Sequence, residues 1–123
     1  MERIAIIDFG ARYNQLIVRA VRECGVFCEL IPPTAPIEAI RGEGLSGVIL
    51  SGCYDSVYQE GARTCSDELL SLGVPVLGIC YGMQLIAHKL GGRVVRAPVG
   101  EFGKTFVRFQ RSPLFDGIQD SIM

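Results

Sequence analysis

Short, continuous apolar runs alternate with segments of helical spacing through most of the chain. Four such runs are present, and they are residues Ile4–Asp8, Val26–Ile31, Gly47–Leu50 and Val74–Ile79. Apolar runs without polar alternation are typical of strands that are buried on both faces of a parallel sheet. Helices that connect parallel strands cover those two faces. The sequence therefore predicts an α/β fold, a three-layer sandwich around a mostly parallel, doubly wound sheet.

Helices are predicted between and after these runs. Three of them precede the fourth strand, indicated by apolar spacing, an N-cap or a glycine stop, and they are residues 13–24, 37–41 and 66–73. A fourth helix follows the fourth strand, and its predicted buried face consists of Met83, Ile86, Ala87 and Leu90. Residues 94–95 and 105–109 are predicted as later strands, with antiparallel pairing as one alternative.

Composition and charge limit the class of function. The chain has 123 residues, 49% of them apolar, and a net charge of -1. This is enough for one globular domain, and the charge gives no support for nucleic-acid or membrane-surface binding. No run approaches the roughly 18 apolar residues of a membrane span, and the N-terminus lacks the features of a signal peptide. A cytoplasmic location is expected.

The five cysteines do not indicate a disulfide framework. Their number is odd and no secretion signal precedes them. Cys24 and Cys28 are interpreted as small buried apolar residues. Because the chain contains one histidine, no metal site is predicted.

Residues 78–82 have the form Gly-x-Cys-x-Gly between a predicted strand and a predicted helix. This pattern is the cysteine form of a nucleophile elbow. Gly78 and Gly82 leave room for a tight turn that projects Cys80 above the sheet. The N–H groups of the helix start favour the thiolate, and the N–H of Tyr81 is a candidate oxyanion donor. The alternative is a buried core cysteine beside packing glycines, but the flanking strand and helix favour a nucleophile.

The segment 75–84, Pro-Val-Leu-Gly-Ile-Cys-Tyr-Gly-Met-Gln, closely resembles the nucleophile segment of class I glutamine amidotransferases. Further segments resemble the N-terminal amidotransferase domain of the GMP synthetases within that family, and they are residues 6–10 with Tyr13, Gln15 and Leu16 after them, 48–52, 56–58, 101–103 and 112–115. The resemblance covers essentially the whole chain.

The resemblance implies a reaction and a set of roles. Cys80 would attack the side-chain amide of glutamine and release ammonia through a glutamyl thioester. Gly52 or the following Cys53 would supply the second oxyanion N–H. Gln84 would help to hold the glutamine, and Gly103 would line the same pocket.

The resemblance also implies a partner. Ammonia would pass to an ATP-pyrophosphatase synthetase domain or subunit, which adenylates XMP with ATP and aminates it to GMP. ATP and Mg²⁺ would bind that unit, so no cofactor is expected in this chain.

Two departures from the family pattern affect these expectations. Cys53 stands where the family has the second glycine of Ser-Gly-Gly-Pro, so the oxyanion hole is either distorted or formed only with substrate. Cys53 is interpreted as a passive residue, with a second reactive thiol near the site as the alternative. The family's catalytic His-x-Glu pair is absent. His88 lies eight residues along the helix from Cys80, about 12 Å of rise, whereas a base must be within about 3 Å.

Residues 1–123 are therefore predicted to be the front part of a longer amidotransferase domain, which does not hydrolyse glutamine efficiently alone. A short protein that has lost catalysis is the alternative. It would be a degenerate or regulatory domain that binds a partner or glutamine without turnover. An amidotransferase of another pathway, or a flavodoxin-like cysteine hydrolase or chaperone, remains a further alternative.

Overall fold

The fold is taken from a computed structural model that describes residues 2–52, 64–94, 107–108, 114 and 121–122. The strands are β1 (Arg3–Ile7), β2 (Phe27–Ile31), β3 (Leu45–Leu50), β4 (Val76–Gly78), β5 (Val107–Arg108) and β6 (Ser121–Ile122). The helices are α1 (Asn14–Glu23), α2 (Ile37–Ile40), a 3₁₀ helix (Asp67–Ser71) and α3 (Tyr81–Lys89). No helix in this described part is long and apolar enough to cross a membrane.

The first four strands form one parallel sheet in the order β2-β1-β3-β4. Ile7 lies opposite both Ile31 and Leu50, and Leu50 lies opposite Gly78. The carboxyl ends of β1, β2, β3 and β4 therefore meet at one edge of the sheet. The predicted α/β class with a mostly parallel sheet is confirmed.

The core has two parts, one on each face of the sheet. On one face, Ile6 and Cys28 pack with Val18 of α1. On the other face, Ile7 and neighbouring strand residues pack with a larger group from α2, the 3₁₀ helix and α3, and that group includes Ile37, Ile40, Leu69 and Leu85. Successive strand residues point to opposite faces, so uninterrupted apolar strands supply both layers.

The predicted buried face of α3 is wrong in part. Tyr81, Gly82 and Leu85 are the buried residues of the helix. Met83 is 59% exposed and Leu90 is 72% exposed. Apolar residues surround much of this helix, so their spacing alone does not show which side faces the sheet.

The prediction that Cys24 is buried is also wrong, whereas Cys28 is buried as expected. Cys24 is the residue after the last turn of α1, and the buried positions of that helix are Asn14 and Val18. Cys28 lies in β2 beneath the helix, and its Sγ donates to the carbonyl oxygen of Val18 at 3.6 Å.

The later elements differ in detail from the expectation. β4 is shorter than predicted, and the segment after Ser66 is a 3₁₀ helix whose start is capped by Ser66 Oγ, which accepts from Glu68 N at 3.2 Å. Val94 lies in no strand, and Val95 lies outside the described residues. β5 pairs antiparallel with β6, a strand that the sequence analysis did not predict.

Candidate active site

Cys80 lies between the end of β4 and the start of α3, where the chain turns sharply. Its backbone has φ 53° and ψ -112°, and it is the one non-glycine residue of the described part with positive φ. Such a conformation costs about 1–3 kcal/mol and persists only when the surrounding structure enforces it. Hydrogen bonds from Gly82 N to Ile79 O (2.9 Å) and from Gln84 N to Cys80 O (3.2 Å) close the turn. The side chain of Cys80 is exposed.

The glycines on either side of Cys80 occupy positions without room for a β-carbon. At Gly78 that carbon would lie 2.7 Å from Met83 N and 2.8 Å from Gly82 C. At Gly82 it would overlap the carbonyl oxygen of Leu50 and lie 2.6 Å from Leu50 C. The first turn of α3 therefore packs directly on the backbone of β3, and this close contact fixes the direction of the elbow.

Hydrogen bonds tie the carboxyl ends of three strands together beside the elbow. Ser51 is fully buried, and its Oγ donates to Ile7 O at 2.6 Å and accepts from Phe9 N at 3.3 Å. Ile79 N donates to Leu50 O at 2.9 Å. The end of β3 is thus held between the end of β1 and the elbow, which places Gly52 next to Cys80.

Tyr13 reaches the same place from the turn between β1 and α1. A β-carbon on Gly52 would overlap the Tyr13 hydroxyl and would lie 2.9 Å from Tyr13 Cζ and 3.1 Å from Cys80 Cβ. The hydroxyl and the cysteine therefore border the same small space. Sequence reasoning assigned Tyr13 only to a helix face and to a family segment, and missed this placement.

Tyr81 and Gln84 follow Cys80 in the first turn of α3. The ring of Tyr81 is buried and packs edge-on against Phe9, with ring centroids 5.4 Å apart, which anchors the start of the helix. Gln84 is half-buried and lines a cavity of about 420 Å³ that also involves Met83 and Ala87. Cys80 does not line that cavity.

The four described cysteines are free thiols in two different environments. Cys24 and Cys80 are exposed, whereas Cys28 and Cys65 are buried. Burial raises the pKa of the Cys65 thiol above its ordinary value. The positive charge of Lys89 opposes this effect, and the negative charge of Asp67 adds to it. Burial thus favours the neutral thiol at Cys65, whereas the thiol of Cys80 is exposed at the elbow.

Some predicted residues lie elsewhere or are not described. Cys53 and Gly103 lie outside the described residues, as do the segments 56–58 and 101–103. His88 is exposed in the last turn of α3, at the opposite end of that helix from Cys80. In the described ranges 2–52 and 64–94, no three His, Cys, Asp or Glu side chains form a group that could hold a metal ion.

Comparison with known families identifies the family of the chain. The family model described as "Glutamine amidotransferase class-I" matches residues 5–123. The chain belongs to the class I glutamine amidotransferases. The four-stranded parallel sheet with its helices agrees with the α/β fold of this family.

Relatives of known name lie within the same family. The chain is 54% identical over 117 residues to the GMP synthase [glutamine-hydrolyzing] of Clostridium perfringens, a match that covers 94% of the chain and 23% of that protein. It is 48% identical over 121 residues to the protein of the same name from Caldicellulosiruptor saccharolyticus, covering 98% of the chain and 24% of that protein. The chain therefore spans about a quarter of the length of these relatives.

A solved structure shows the same fold. A Thermoplasma acidophilum protein described as a GMP synthase subunit superposes with a TM-score of 0.77 at 30% sequence identity. The superposition covers 98% of this chain and 61% of that chain. The class I amidotransferase fold is therefore supported by both sequence and backbone geometry.

Proposed function

We propose that the chain acts as the glutaminase part of a glutamine-hydrolysing GMP synthase. The observation that carries the proposal is the exposed Cys80 on a strained elbow, bordered by Gly52 and the first turn of α3. Among class I amidotransferases, the choice is supported by about 50% identity to proteins named GMP synthase over nearly the whole chain.

In the proposed reaction, Cys80 Sγ attacks the carboxamide carbon of glutamine. The carbon–nitrogen bond breaks, and the nitrogen leaves as ammonia after it takes a proton. Water then attacks the glutamyl thioester and releases glutamate, so that glutamine and water yield glutamate and ammonia. Backbone N–H groups stabilise the negative oxygen that forms at each step.

Two backbone positions are proposed as the donors to that oxygen. Tyr81 N belongs to the first turn of α3, where N–H groups have no acceptor within the helix. The second donor belongs to the segment that begins at Gly52 and continues with Cys53. A β-carbon on Gly52 would lie 3.1 Å from Cys80 Cβ, and this proximity supports the assignment for Gly52. Gln84 and Gly103 are proposed to hold the substrate.

The ammonia is proposed to pass to an ATP-pyrophosphatase synthetase domain or subunit. That unit would bind ATP, Mg²⁺ and XMP and form GMP, and no cofactor is assigned to residues 1–123. The coverage of about a quarter of the named GMP synthases leaves room in those proteins for such a unit.

The 123-residue chain by itself is expected to turn over glutamine poorly. Its sequence contains no His-x-Glu pair, and His88 lies at the far end of α3. The prediction that residues 1–123 are the front part of a longer domain remains a prediction. A second candidate function is glutamine or partner binding without turnover, which is favoured by Cys53 at the position of the family's second loop glycine.

A chimera separates these two functions. The chain would replace the matching segment of the Clostridium perfringens GMP synthase, to which it is 54% identical. GMP formation would be measured with glutamine and, separately, with ammonium as the nitrogen source. We expect the chimera to use both sources. Cys80→Ala should lower the glutamine-dependent rate by at least about 10³-fold and leave the ammonium-dependent rate unchanged.

The ammonium reaction controls for folding and for the synthetase unit. A chimera that uses ammonium at the parental rate but gains nothing from glutamine would contradict the glutaminase proposal. It would favour binding without turnover, and a Cys53→Gly variant would then test whether the substituted loop position is the cause.

A further inference from the structure

The hydroxyl of Tyr13 is held close to Cys80 by a rigid turn. The carbonyl oxygen of Tyr13 accepts from Leu16 N at 2.9 Å and from Ile17 N at 3.2 Å, at the start of α1. Tyr13 is half-buried, and its side chain crosses from the residue before α1 to the end of β3. The residue thus joins two elements at the carboxyl edge of the sheet.

A second set of hydrogen bonds fixes the backbone before Tyr13. Asp8 Oδ1 accepts from Gly10 N at 2.8 Å and from Asn14 Nδ2 at 2.6 Å. Gly10 has φ 99°, a conformation that suits glycine, and Asn14 is 2% exposed. Because the residues on both sides of Tyr13 are fastened to Asp8, the tyrosine ring projects from a fixed base.

Gly52 is the position that gives the Tyr13 hydroxyl access to the site. A side chain there would occupy the place of the hydroxyl and would also meet Cys80 Cβ at 3.1 Å. The hydroxyl therefore fills, from a neighbouring element, the space that an ordinary residue 52 would take. This brings a polar group with both donor and acceptor capacity next to the nucleophile.

We propose that the Tyr13 hydroxyl contacts the substrate carboxamide while Cys80 attacks it, so that Tyr13 is a catalytic residue of the glutaminase site. The inference rests on the proposed function of Cys80. The reacting carbon must come within about 3.5 Å of the sulfur, and a group that borders the same space as Cys80 is then within reach of the carboxamide. The hydroxyl donates to the carboxamide oxygen, and the ketone oxygen of a chloroketone analogue can accept the same hydrogen bond.

The test compares two electrophiles on the 123-residue chain. Iodoacetamide carries no glutamine group and reports the reactivity of the thiol alone. The labelling rate with a chloroketone analogue of glutamine depends both on the reactivity of the thiol and on binding of the glutamine-like group. Labelling rates at Cys80 are measured by peptide mass spectrometry, with the exposed Cys24 as the reference thiol in the same molecule and the buried Cys28 as a check that the chain is folded.

Tyr13→Phe keeps the ring and removes only the hydroxyl. We expect it to lower chloroketone labelling of Cys80 about tenfold, the effect of about one hydrogen bond, and to leave iodoacetamide labelling within twofold. Gln15→Ala, an exposed position in the first turn of α1, is the matched control and is expected to change neither rate. Gly52→Ala, which displaces the hydroxyl from the other side, is the second variant and is expected to lower chloroketone labelling as well.

Two results would overturn the inference. One is chloroketone labelling within twofold of the parent in Tyr13→Phe. The other is an equal fall with both electrophiles, since Tyr13 would then act only on the surroundings of the thiol. Failure of the proposed function looks different, because the parent chain would then label Cys80 with the chloroketone no faster than Cys24, and glutamine would give no protection.

Discussion

Gly82→Ala tests how α3 is seated on the sheet. In a helix, alanine is normally more favourable than glycine by about 1 kcal/mol. The structure reverses the expected sign, because a β-carbon at position 82 would lie 2.6 Å from Leu50 C and 2.7 Å from Leu50 Cβ. Leu50 lies in a strand with a neighbour on each side, and its carbonyl oxygen also accepts from Ile79 N. Because β3 is held by β1 and β4, the clash is relieved only by a shift of α3 away from the sheet.

The magnitude follows from these two opposing effects. Overpacking costs about 1–3 kcal/mol, and we take about 3 kcal/mol because the contacted atoms are mostly backbone. After subtracting the helix preference, Gly82→Ala is expected to lower the free energy of unfolding by about 2 kcal/mol. For a domain of this size, that corresponds to a fall of about 10 °C in Tm.

The assay is urea unfolding followed by far-UV circular dichroism. Met83→Ala is the matched control in the same helical turn, and since Met83 is 59% exposed its effect should stay within about 0.5 kcal/mol. Gly91→Ala gives a graded comparison, because it has φ 87° but no atom within 4 Å of the new β-carbon. It should cost about 1–2 kcal/mol from the backbone conformation alone. A Gly82→Ala chain as stable as the parent would refute the seating of α3 on Leu50.

Two further predictions concern buried groups. Ser51→Ala should lower the free energy of unfolding in urea by about 1–3 kcal/mol, because Phe9 N loses its acceptor, whereas Ser46→Ala, whose hydroxyl bond is exposed, should stay within about 0.5 kcal/mol. An equal loss of stability in Ser51→Ala and Ser46→Ala would contradict the role of the buried hydrogen bond from Phe9 N to Ser51 Oγ. The raised pKa of Cys65 stabilises the fold below the ordinary thiol pKa of 9.0, and this contribution is lost as the pH rises through the higher folded-state pKa. The stability difference between the parent and Cys65→Ala should therefore narrow in urea titrations from about pH 8 to about pH 10, and a constant difference would count against it.

The parts of the fold that depend on local sequence were predictable. β1 and β2 lie within one or two residues of their predicted bounds, because their apolar runs are uninterrupted and end at turn residues. The elbow around Cys80 was also predictable, since a strand, a Gly-x-Cys-x-Gly turn and a helix follow one another directly. In each case the pattern and the structure it specifies occupy the same short segment.

The parts that depend on the relative placement of elements were not predictable. Met83 was assigned to the core of α3 because its spacing fits an apolar face, but the side of α3 that faces the sheet is set by the direction of the elbow. The meeting of Tyr13, Gly52 and Cys80 requires the register between β1, β3 and β4, which a single sequence does not give. The roles proposed for Gly103 and Cys53 remain predictions.

The ties at the carboxyl edge also set an order of events during synthesis. Ser51 N donates to Ile7 O, and Ile79 N donates to Leu50 O. Each hydrogen bond can form only after the later of its two segments has been synthesised. A ribosome releases β1 and β3 well before residues 78–82. Until β4 joins β3, the close packing of Gly82 on Leu50 that supports the positive φ of Cys80 is absent. In a nascent chain the backbone of this cysteine is therefore unconstrained, and the elbow geometry is acquired only when the sheet has received its fourth strand.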